Sequence, residues 1–536
     1  MTLSVTDTLR GERVALAGGD DDEILLYVCG LTVSDDAHLG HARLWFHADV
    51  LHRWLEHRGY DVRHVENVTD VNEKITARVG EREEWETEAD VARHFTQSVL
   101  ADMRGLNLKR AAVYPRVSEH VPQIVSLVET LVERGYAYEA NGSVYFDVTS
   151  FDDYGALSNQ SLDELEAQSE ADERSEKRNP SDFALWKAGG VSPEAVREHR
   201  KHDHEGSLPS GQTWDSPWGE GRPGWHVECS VMSTTHLGDT LDVHMGGRDL
   251  VFPHHENEIA QSEAATGAEF ARTWLHVGLL QTDEDKMSSS LGNFFTVSDA
   301  LEEYGVDVVR TFYLGAQYRG EQTYSTDAMA EAERRWERLR RGYDTAVAAC
   351  DDARALGSVV DDDLREAVDE CRERFATAMD DDLDVRTAYN ALLDLASAVH
   401  RHVDGDGADG DESSADDTGG VAGGDDGTAD GGSGDGDASD DVSADGETAY
   451  DYRGLRRAVE TFEALGGEVF GLSLGADESD GGDVELVEDL VELVLDVRER
   501  ERDAGNYERA DDLRDALADA GVRVEDGDDG PTYRLE

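Results

Sequence analysis

The sequence predicts an α/β fold: a parallel-sheet domain, interrupted by a connective insertion, then an α-helical bundle and a small α+β carboxyl-terminal domain. Three observations carry this. The run Ile24-Leu-Leu-Tyr-Val-Cys29 is continuously apolar, as in a parallel strand covered on both faces. From Leu39 to Arg58 the residues Leu44, Trp45, Ala48, Leu51 and Leu55 recur at helical spacing, and Gly59 stops the helix. Much later, Asp327–Val403 reads as helical sequence, with Tyr389, Leu392, Leu393, Leu395, Ala396 and Val399 forming an apolar series.

In chain order, the first half of the sheet domain spans 1–112. The insertion follows over 113–214, with Tyr145-Phe-Asp-Val148 and the charged run Asp163–Arg178, and the sheet resumes near Asp215 and runs to 300. Residues 301–326 form a junction, with helices through Val309 and Tyr313. The helical bundle occupies 327–403 and 449–497. Between them, 404–448 is rich in Asp, Gly, Ala and Ser and lacks leucine and aromatic residues. Such a tract buries too little apolar surface to offset its ordering entropy, so it is expected to be a disordered, solvated loop expansion. At the end, over 498–536, Arg498–Arg514 is an arginine-studded helix with Ala510, Leu513 and Leu517 inward, and Val522–Gly527 with Thr532-Tyr-Arg534 reads as a short hairpin.

The chain has 536 residues and a formal charge of −70, and only six of its 49 basic residues are lysine. At ordinary salt such acidity repels polyanions. A lysine-poor acidic surface instead suits a salt-filled cytoplasm, where repulsion is screened over about 3 Å at 1 M salt. The expected source is a halophile, an archaeon. No charged-then-apolar leader opens the chain and no 18-residue apolar run occurs, so a cytoplasmic protein without membrane partners is expected. Four cysteines in this length argue against a disulfide framework, and Cys350 and Cys371 lie in helical patterns as core thiols.

Chemistry enters at His38-Leu39-Gly40-His41, at the mouth of the first helix. A helix amino terminus offers unpaired N–H groups to phosphate, and Gly40 allows close backbone approach. His38 and His41, i and i+3, can donate to phosphoryl oxygens. About 245 residues on comes Lys286-Met287-Ser288-Ser289-Ser290, where one lysine and three hydroxyls suit a triphosphate in an in-line displacement. Either string alone is weak. The ordered pair resembles the HIGH and KMSKS signatures of class I aminoacyl-tRNA synthetases, with one departure: Ser289 stands where that family has its second lysine.

A further set narrows the resemblance. Gly221-Arg-Pro-Gly-Trp225-His226-Val-Glu228-Cys229 supplies a second thiol, and Pro253-His254-His255-Glu256-Asn257-Glu258 places imidazole and carboxylate at i, i+4. Cys29, Cys229, His254 and Glu258 are all zinc-compatible donors. They match the zinc ligands of cysteinyl-tRNA synthetases, as do the surrounding strings, Asn67-Val-Thr69-Asp70, Arg178-Asn-Pro180 and Trp186. The resemblance covers nearly the whole chain.

That resemblance implies a Rossmann-like catalytic domain binding one Zn²⁺, ATP with Mg²⁺, L-cysteine and tRNA(Cys), in a monomer. It implies charge stabilisation by His38, His41 and Lys286, and an amino-acid pocket lined by Thr69 and Trp225. It places the nucleotide against Gly40, Gly247, Asp249, His276 and Ser289, with adenosine on the His244-Met-Gly246-Gly247-Arg-Asp249 turn and His276 on the adenine side. Residues 301–326 become a stem-contact-like junction and 498–536 an anticodon-binding-like domain. In molar salt counterion release helps little, so tRNA recognition is expected to rest on shape, stacking and arginine hydrogen bonds. Two other readings are open: a paralogue passing activated cysteine to a small amine, which would lack the helical and carboxyl-terminal domains, and an inactive zinc-binding homologue, to which Ser289 alone points.

Overall fold

The computed structural model describes residues 3–16, 23–160, 176–201, 208–282, 295–404 and 449–474, together with helical positions between 494 and 517 and strands at 522–527 and 530–535. Two compact units result, Met1–Leu474 and Gly475–Glu536. Lys286, Ser289 and the acidic tract from 405 to 448 lie outside the described residues, as does most of the charged run 163–178.

The first unit opens with a hairpin, β1 (Ser4–Asp7) and β2 (Glu12–Ala15). The catalytic sheet is built from β3 (Glu23–Val28), which leads to α1 (Leu39–His57) and then β4 (Asp61–Glu66). Arg58 caps α1 and Gly59 takes φ 90°, a left-handed value that ends the helix where the sequence places its stop. Helices α2 (Glu73–Arg78), α3 (Glu88–Gly105) and α4 (Val117–Arg134) follow.

The insertion folds as an antiparallel sheet of β5 (Ala137–Ala140), β6 (Ser143–Phe146), β7 (Phe183–Ala188) and β8 (Gly221–Pro223), with α5 (Pro193–His199) between the last two. It therefore reaches beyond residue 214. β8 pairs with β7 through Trp186 opposite Pro223, so the catalytic sheet resumes at Val243 and not near Asp215. A three-residue Gly-Arg-Pro strand carries no alternation for a sequence reading to detect.

After β8 come α6 (Trp225–Leu237), β9 (Val243–Gly247), α7 (Glu256–Thr266) and β10 (Trp274–Val277). The catalytic sheet has the order β10-β9-β3-β4 and is parallel throughout. Short strands β11 (Leu280–Thr282) and β12 (Gln322–Tyr324) flank α8 (Val297–Tyr304) and α9 (Val306–Tyr313).

The helical stretch comprises three helices, α10 (Thr326–Asp351), α11 (Asp362–Asp380) and α12 (Val385–Asp404). Strands β13 (Ala355–Leu356) and β14 (Tyr450–Asp451) pair beside them, and α13 (Tyr452–Thr461) completes the bundle. In the second unit Leu495, Ala510 and Leu517 are buried, and β15 (Val522–Gly527) runs antiparallel to β16 (Gly530–Leu535).

One apolar core runs from Leu26 and Val28 of the sheet through Trp54 and Leu55 to Phe375, Leu392 and Phe470 of the bundle. Across it lies a buried ion pair. Arg310 NH2 donates to Asp49 Oδ2 at 2.6 Å, while its Nε donates to the Phe470 carbonyl at 2.7 Å and its NH1 to that of Leu106 at 2.8 Å. Arg310 and Arg53 hold the Asp49 carboxyl below its usual range although burial opposes ionisation. Removing one partner leaves the other charge buried and unpaired. Arg310→Met is expected to cost about 3–5 kcal/mol in denaturant unfolding, and a loss below about 1 kcal/mol would contradict this.

The acidic tract leaves and re-enters at one neck. His402 Nδ1 lies 2.6 Å from Asp361 Oδ2, and the Asp451 backbone N–H donates to His402 Nε2 at 3.0 Å. Arg365 grips Asp451 from Nε at 2.6 Å and NH2 at 2.9 Å. With the neck fixed by these contacts, replacing 405–448 by a short Gly/Ser linker is expected to leave the unfolding midpoint within a few degrees, since loop length enters stability only logarithmically. Calorimetry in molar KCl checks it.

Candidate active site

A cleft of about 840 Å³ opens at the carboxyl ends of β3, β4, β9 and β10. Cys29, Thr69, Trp225, Cys229 and His254 line one part of it. His38, Gly40, His41, Gly247 and Asp249 line the rest. Of the candidate residues among the described ones, only Glu258 and His276 are absent from its walls.

The metal-type donors converge. Cys29 Sγ lies 3.7 Å from Cys229 Sγ and 3.5 Å from His254 Nε2, and the four donor atoms including Glu258 all fall within 4.8 Å of one another. For tetrahedral zinc with bonds of about 2.3 Å to sulfur and 2.0–2.1 Å to nitrogen, donor separations of about 3.8 and 3.6 Å are expected. Glu258 Oε1 approaches His254 Nε2 to 2.9 Å yet makes no hydrogen bond, the arrangement of two donors facing a shared ion. The residues fit such a metal.

Two of the four donors, Glu258 and His254, are steered from behind. His244 Nε2 meets Glu258 Oε2 at 2.9 Å, and His226 Nδ1 meets His254 Nδ1 at 2.9 Å. Partners of this kind set ring tautomer and carboxylate orientation in metal sites. His244 is fully buried and does not reach the cleft, whereas Gly247 and Asp249 of the same strand end line it. His276, expected on the adenine side, needs a correction. Its Nε2 meets His255 Nδ1 at 2.8 Å and its Nδ1 meets Thr8 Oγ1 at 2.8 Å, so it sits behind the cleft wall with both nitrogens engaged.

His38 caps α1. Its Nδ1 accepts the Gly40 N–H at 3.1 Å, while His41 Nδ1 accepts the His38 N–H at 3.3 Å, and the rings stack with centroids 3.8 Å apart. Both Nδ1 atoms being acceptors, each neutral ring carries its proton on Nε2. A Cβ on Gly40 would come within 2.9 Å of the His38 ring.

Asn67 is a hub whose role the sequence does not display. Its Oδ1 accepts from the Gly30 N–H and the Tyr27 hydroxyl, both at 2.8 Å, and its Nδ2 donates to Thr69 Oγ1 at 3.2 Å. A Cβ on Gly30 would fall 1.7 Å from the Asn67 carbonyl oxygen, so only glycine fits beside Cys29. Trp225 is 42% exposed and its ring lies 4.5 Å from that of His254.

Residues 16–334 match the family of tRNA synthetases class I (C) catalytic domain. Similar folds include Mycobacterium tuberculosis methionyl-tRNA synthetase with methionyl-adenylate, at TM-score 0.53 and 16% identity over 71% of this chain and 83% of that one. Another is the LeuRS of Agrobacterium radiobacter K84 in complex with tRNA and LeuAMS, at TM-score 0.52 and 12% identity over 84% and 85%. Fold and site define a class I aminoacyl-tRNA synthetase, an aminoacyl-tRNA ligase. A cysteine–tRNA ligase of Haloarcula marismortui is 58% identical over 538 residues, and that of Halobacterium salinarum 56% over 540, each covering the full length of both chains. The ligase of Thermococcus onnurineus is 38% identical over 537 residues, covering 100% of this chain and 99% of its own. The chain belongs to the cysteine–tRNA ligase family.

Without metal, the site holds protons. Burial opposes charge on His254, but Glu258 and Cys229 raise it to about 10. Burial likewise opposes the Glu258 carboxylate, yet His244 and His254 bring it down to about 2. The hydrogen bond from Cys29 draws Cys229 down to about 6, while Cys29 itself is pushed up. A metal needs the bare His254 nitrogen and both thiolates. Loading the metal-free protein at pH 7 is therefore expected to release roughly two protons per ion. Because the imidazolium persists up to about pH 10, affinity should rise with pH below that value. An indicator dye in weak buffer reads the release; zero protons would contradict it.

Proposed function

We propose that the protein is a zinc-dependent cysteine–tRNA ligase of the cytoplasm, joining L-cysteine to the terminal ribose of tRNA(Cys) at the expense of ATP. The observation that carries this is the meeting of Cys29, Cys229, His254 and Glu258 in the same cleft as His38 and His41. Identity to named cysteine–tRNA ligases along the full chain supports it.

Zinc held by those four residues would offer a coordination position that favours the substrate's soft sulfur over the hydroxyl oxygen of serine. Thr69, held by Asn67, and Trp225 flank that position and orient the amino acid. With cysteine seated there, its carboxylate faces the α-phosphate of ATP, which lies over the start of α1. His38 and His41 donate from Nε2 to the phosphoryl oxygens as charge gathers during in-line attack, and pyrophosphate leaves. Gly40 keeps the backbone open to the phosphate, and Gly247 and Asp249 hold the nucleoside. Lys286 supplies the cation of its loop, Ser289 a hydroxyl, and Mg²⁺ accompanies the nucleotide. The ribose hydroxyl of the tRNA end then attacks the carbonyl of cysteinyl adenylate and releases AMP.

Serine differs from cysteine by one atom, and shape separates such near-isosteres by only about 1–3 kcal/mol. Selection through sulfur ligation should do better without an editing step. In molar KCl, labelled cysteine should be attached to tRNA with a preference over serine on the order of 10⁴. Comparable serine attachment would overturn the zinc sieve. Pyrophosphate exchange without tRNA charging would overturn the ligase reading.

A further inference from the structure

The insertion side of the cleft carries a cationic wall that the proposed chemistry does not use. Lys74 and Arg78 come from α2, and Arg200 and Lys201 follow α5, which packs on α2. In a chain with 119 acidic residues and six lysines, a lysine placed at a cleft needs a reason.

The four cations differ in how they are engaged, and Arg200 NH2 donates to the Val79 carbonyl at 3.2 Å. Arg78 NH2 lies 2.7 Å from Asp35 Oδ1 and its NH1 2.9 Å from Glu81 Oε2. Lys201 Nζ lies 2.6 Å from the same Asp35 oxygen. Lys109, on another face, pairs with Glu56. Lys74 is exposed and makes no ion pair or side-chain hydrogen bond among the described residues. Its neighbour Glu73 is taken by Arg222 NH1 at 3.2 Å, so the adjacent carboxylate is committed elsewhere.

That same contact fixes where Lys74 stands. Arg222 lies in β8, three residues before Trp225, so the start of α2, where Lys74 stands, is fastened at the amino-acid end of the cleft, while its last residue Arg78 reaches Ser34 and Asp35 in the loop before His38. On the ligase reading the nucleotide phosphates lie over the start of α1 and the amino acid has none, so the ligand left to bring phosphates to the amino-acid end of the cleft is the incoming nucleic-acid terminus. Its phosphodiesters are anions that a −70 surface repels, and at molar salt, with charge screened over about 3 Å, only a direct contact guides them. We infer that Lys74 is a binding residue for a backbone phosphate of the nucleic-acid 3′ end, at a subsite on the insertion side of the cleft. The inference rests on the ligase reading above.

The test is Lys74→Met against Lys74→Arg in the full chain, with Lys109→Met removing the same charge elsewhere. The KM for tRNA in cysteine charging is expected to rise about fivefold to tenfold in Lys74→Met, and the dependence of log(kcat/KM) on log[KCl] to flatten by about 0.7, one single-strand phosphate contact. Lys74→Arg should restore most of both, and Lys109→Met should shift neither beyond twofold. The KM for ATP in pyrophosphate exchange is read alongside. A rise there equal to that for tRNA would overturn the inference in favour of a nucleotide phosphate contact. An unaltered tRNA KM in Lys74→Met would overturn it outright, while wild-type protein that fails to charge tRNA would instead remove the ligase reading on which it rests.

Discussion

Two thiols 200 residues apart in the chain lie 3.7 Å apart in space, and the rest of the site depends on the constraint that brings them there. All four strands of the catalytic sheet are parallel, so every strand delivers its following loop to the same edge. Cys29 and Gly30 leave β3, the Asn67–Thr69 turn leaves β4, Gly247 and Asp249 leave β9, and Gly278 leaves β10. The insertion returns the chain through β8 so that α6 starts beside this edge and presents Cys229 one turn in. Hydrogen bonds of the sheet thus do the assembling, and the site's long sequence separations are a consequence of parallel topology.

Such a site is costly before a ligand arrives. Glu258, His244, His254 and His255 are all essentially excluded from solvent. A buried carboxylate is tolerated only with compensating partners. Here the compensation runs outward in a chain: His244 against Glu258, His226 against His254, and His255 through His276 to Thr8. The last link matters for the architecture, because Thr8 belongs to the amino-terminal hairpin segment. Asp382, at the turn before α12, in turn accepts from the Thr6 N–H at 2.7 Å and from Tyr318 at 2.9 Å. The amino-terminal segment thus touches the histidine cluster through Thr8 and the turn before α12 through Thr6.

How much of this was legible in the sequence follows from what each signal encodes. β3 and α1 were readable because their residues repeat at strand and helix spacing, and Gly59 punctuates them. Cys29, Cys229, His254 and Glu258 were readable as a set through the strings that surround them and their resemblance to a known family, since thiols 200 residues apart carry no metal-site spacing of their own. His276 was misplaced because a short strand end says that a side chain alternates, but not which neighbour it meets. Asn67 looked like part of a string; its work for Gly30, Tyr27 and Thr69 depends on a turn whose geometry no periodicity reports. The end of the insertion was missed for the same reason, since Gly221–Pro223 is too short to show a pattern.

The scarcity of lysine takes on a structural meaning at Arg43. This side chain is fully buried, one turn of helix or less from His41, and spends its donors on backbone. NH1 reaches the carbonyls of Gly278 at 2.6 Å and Leu279 at 2.9 Å, and NH2 those of Gln317 at 3.1 Å and Gly320 at 2.6 Å. Burial lowers its pKa to about 10, which still leaves it charged. A single ammonium could not span four carbonyls on two segments, whereas a planar guanidinium fork does. The helix that carries His38 and His41 is thereby pinned to the chain leaving β10. Arg310, from α9, repeats the device midway along the same helix, joining Asp49 to the carbonyls of Leu106 and Phe470. In a chain so rich in carboxylates, arginine holds the helix behind His38 and His41 in place from within, where salt does not reach to screen it.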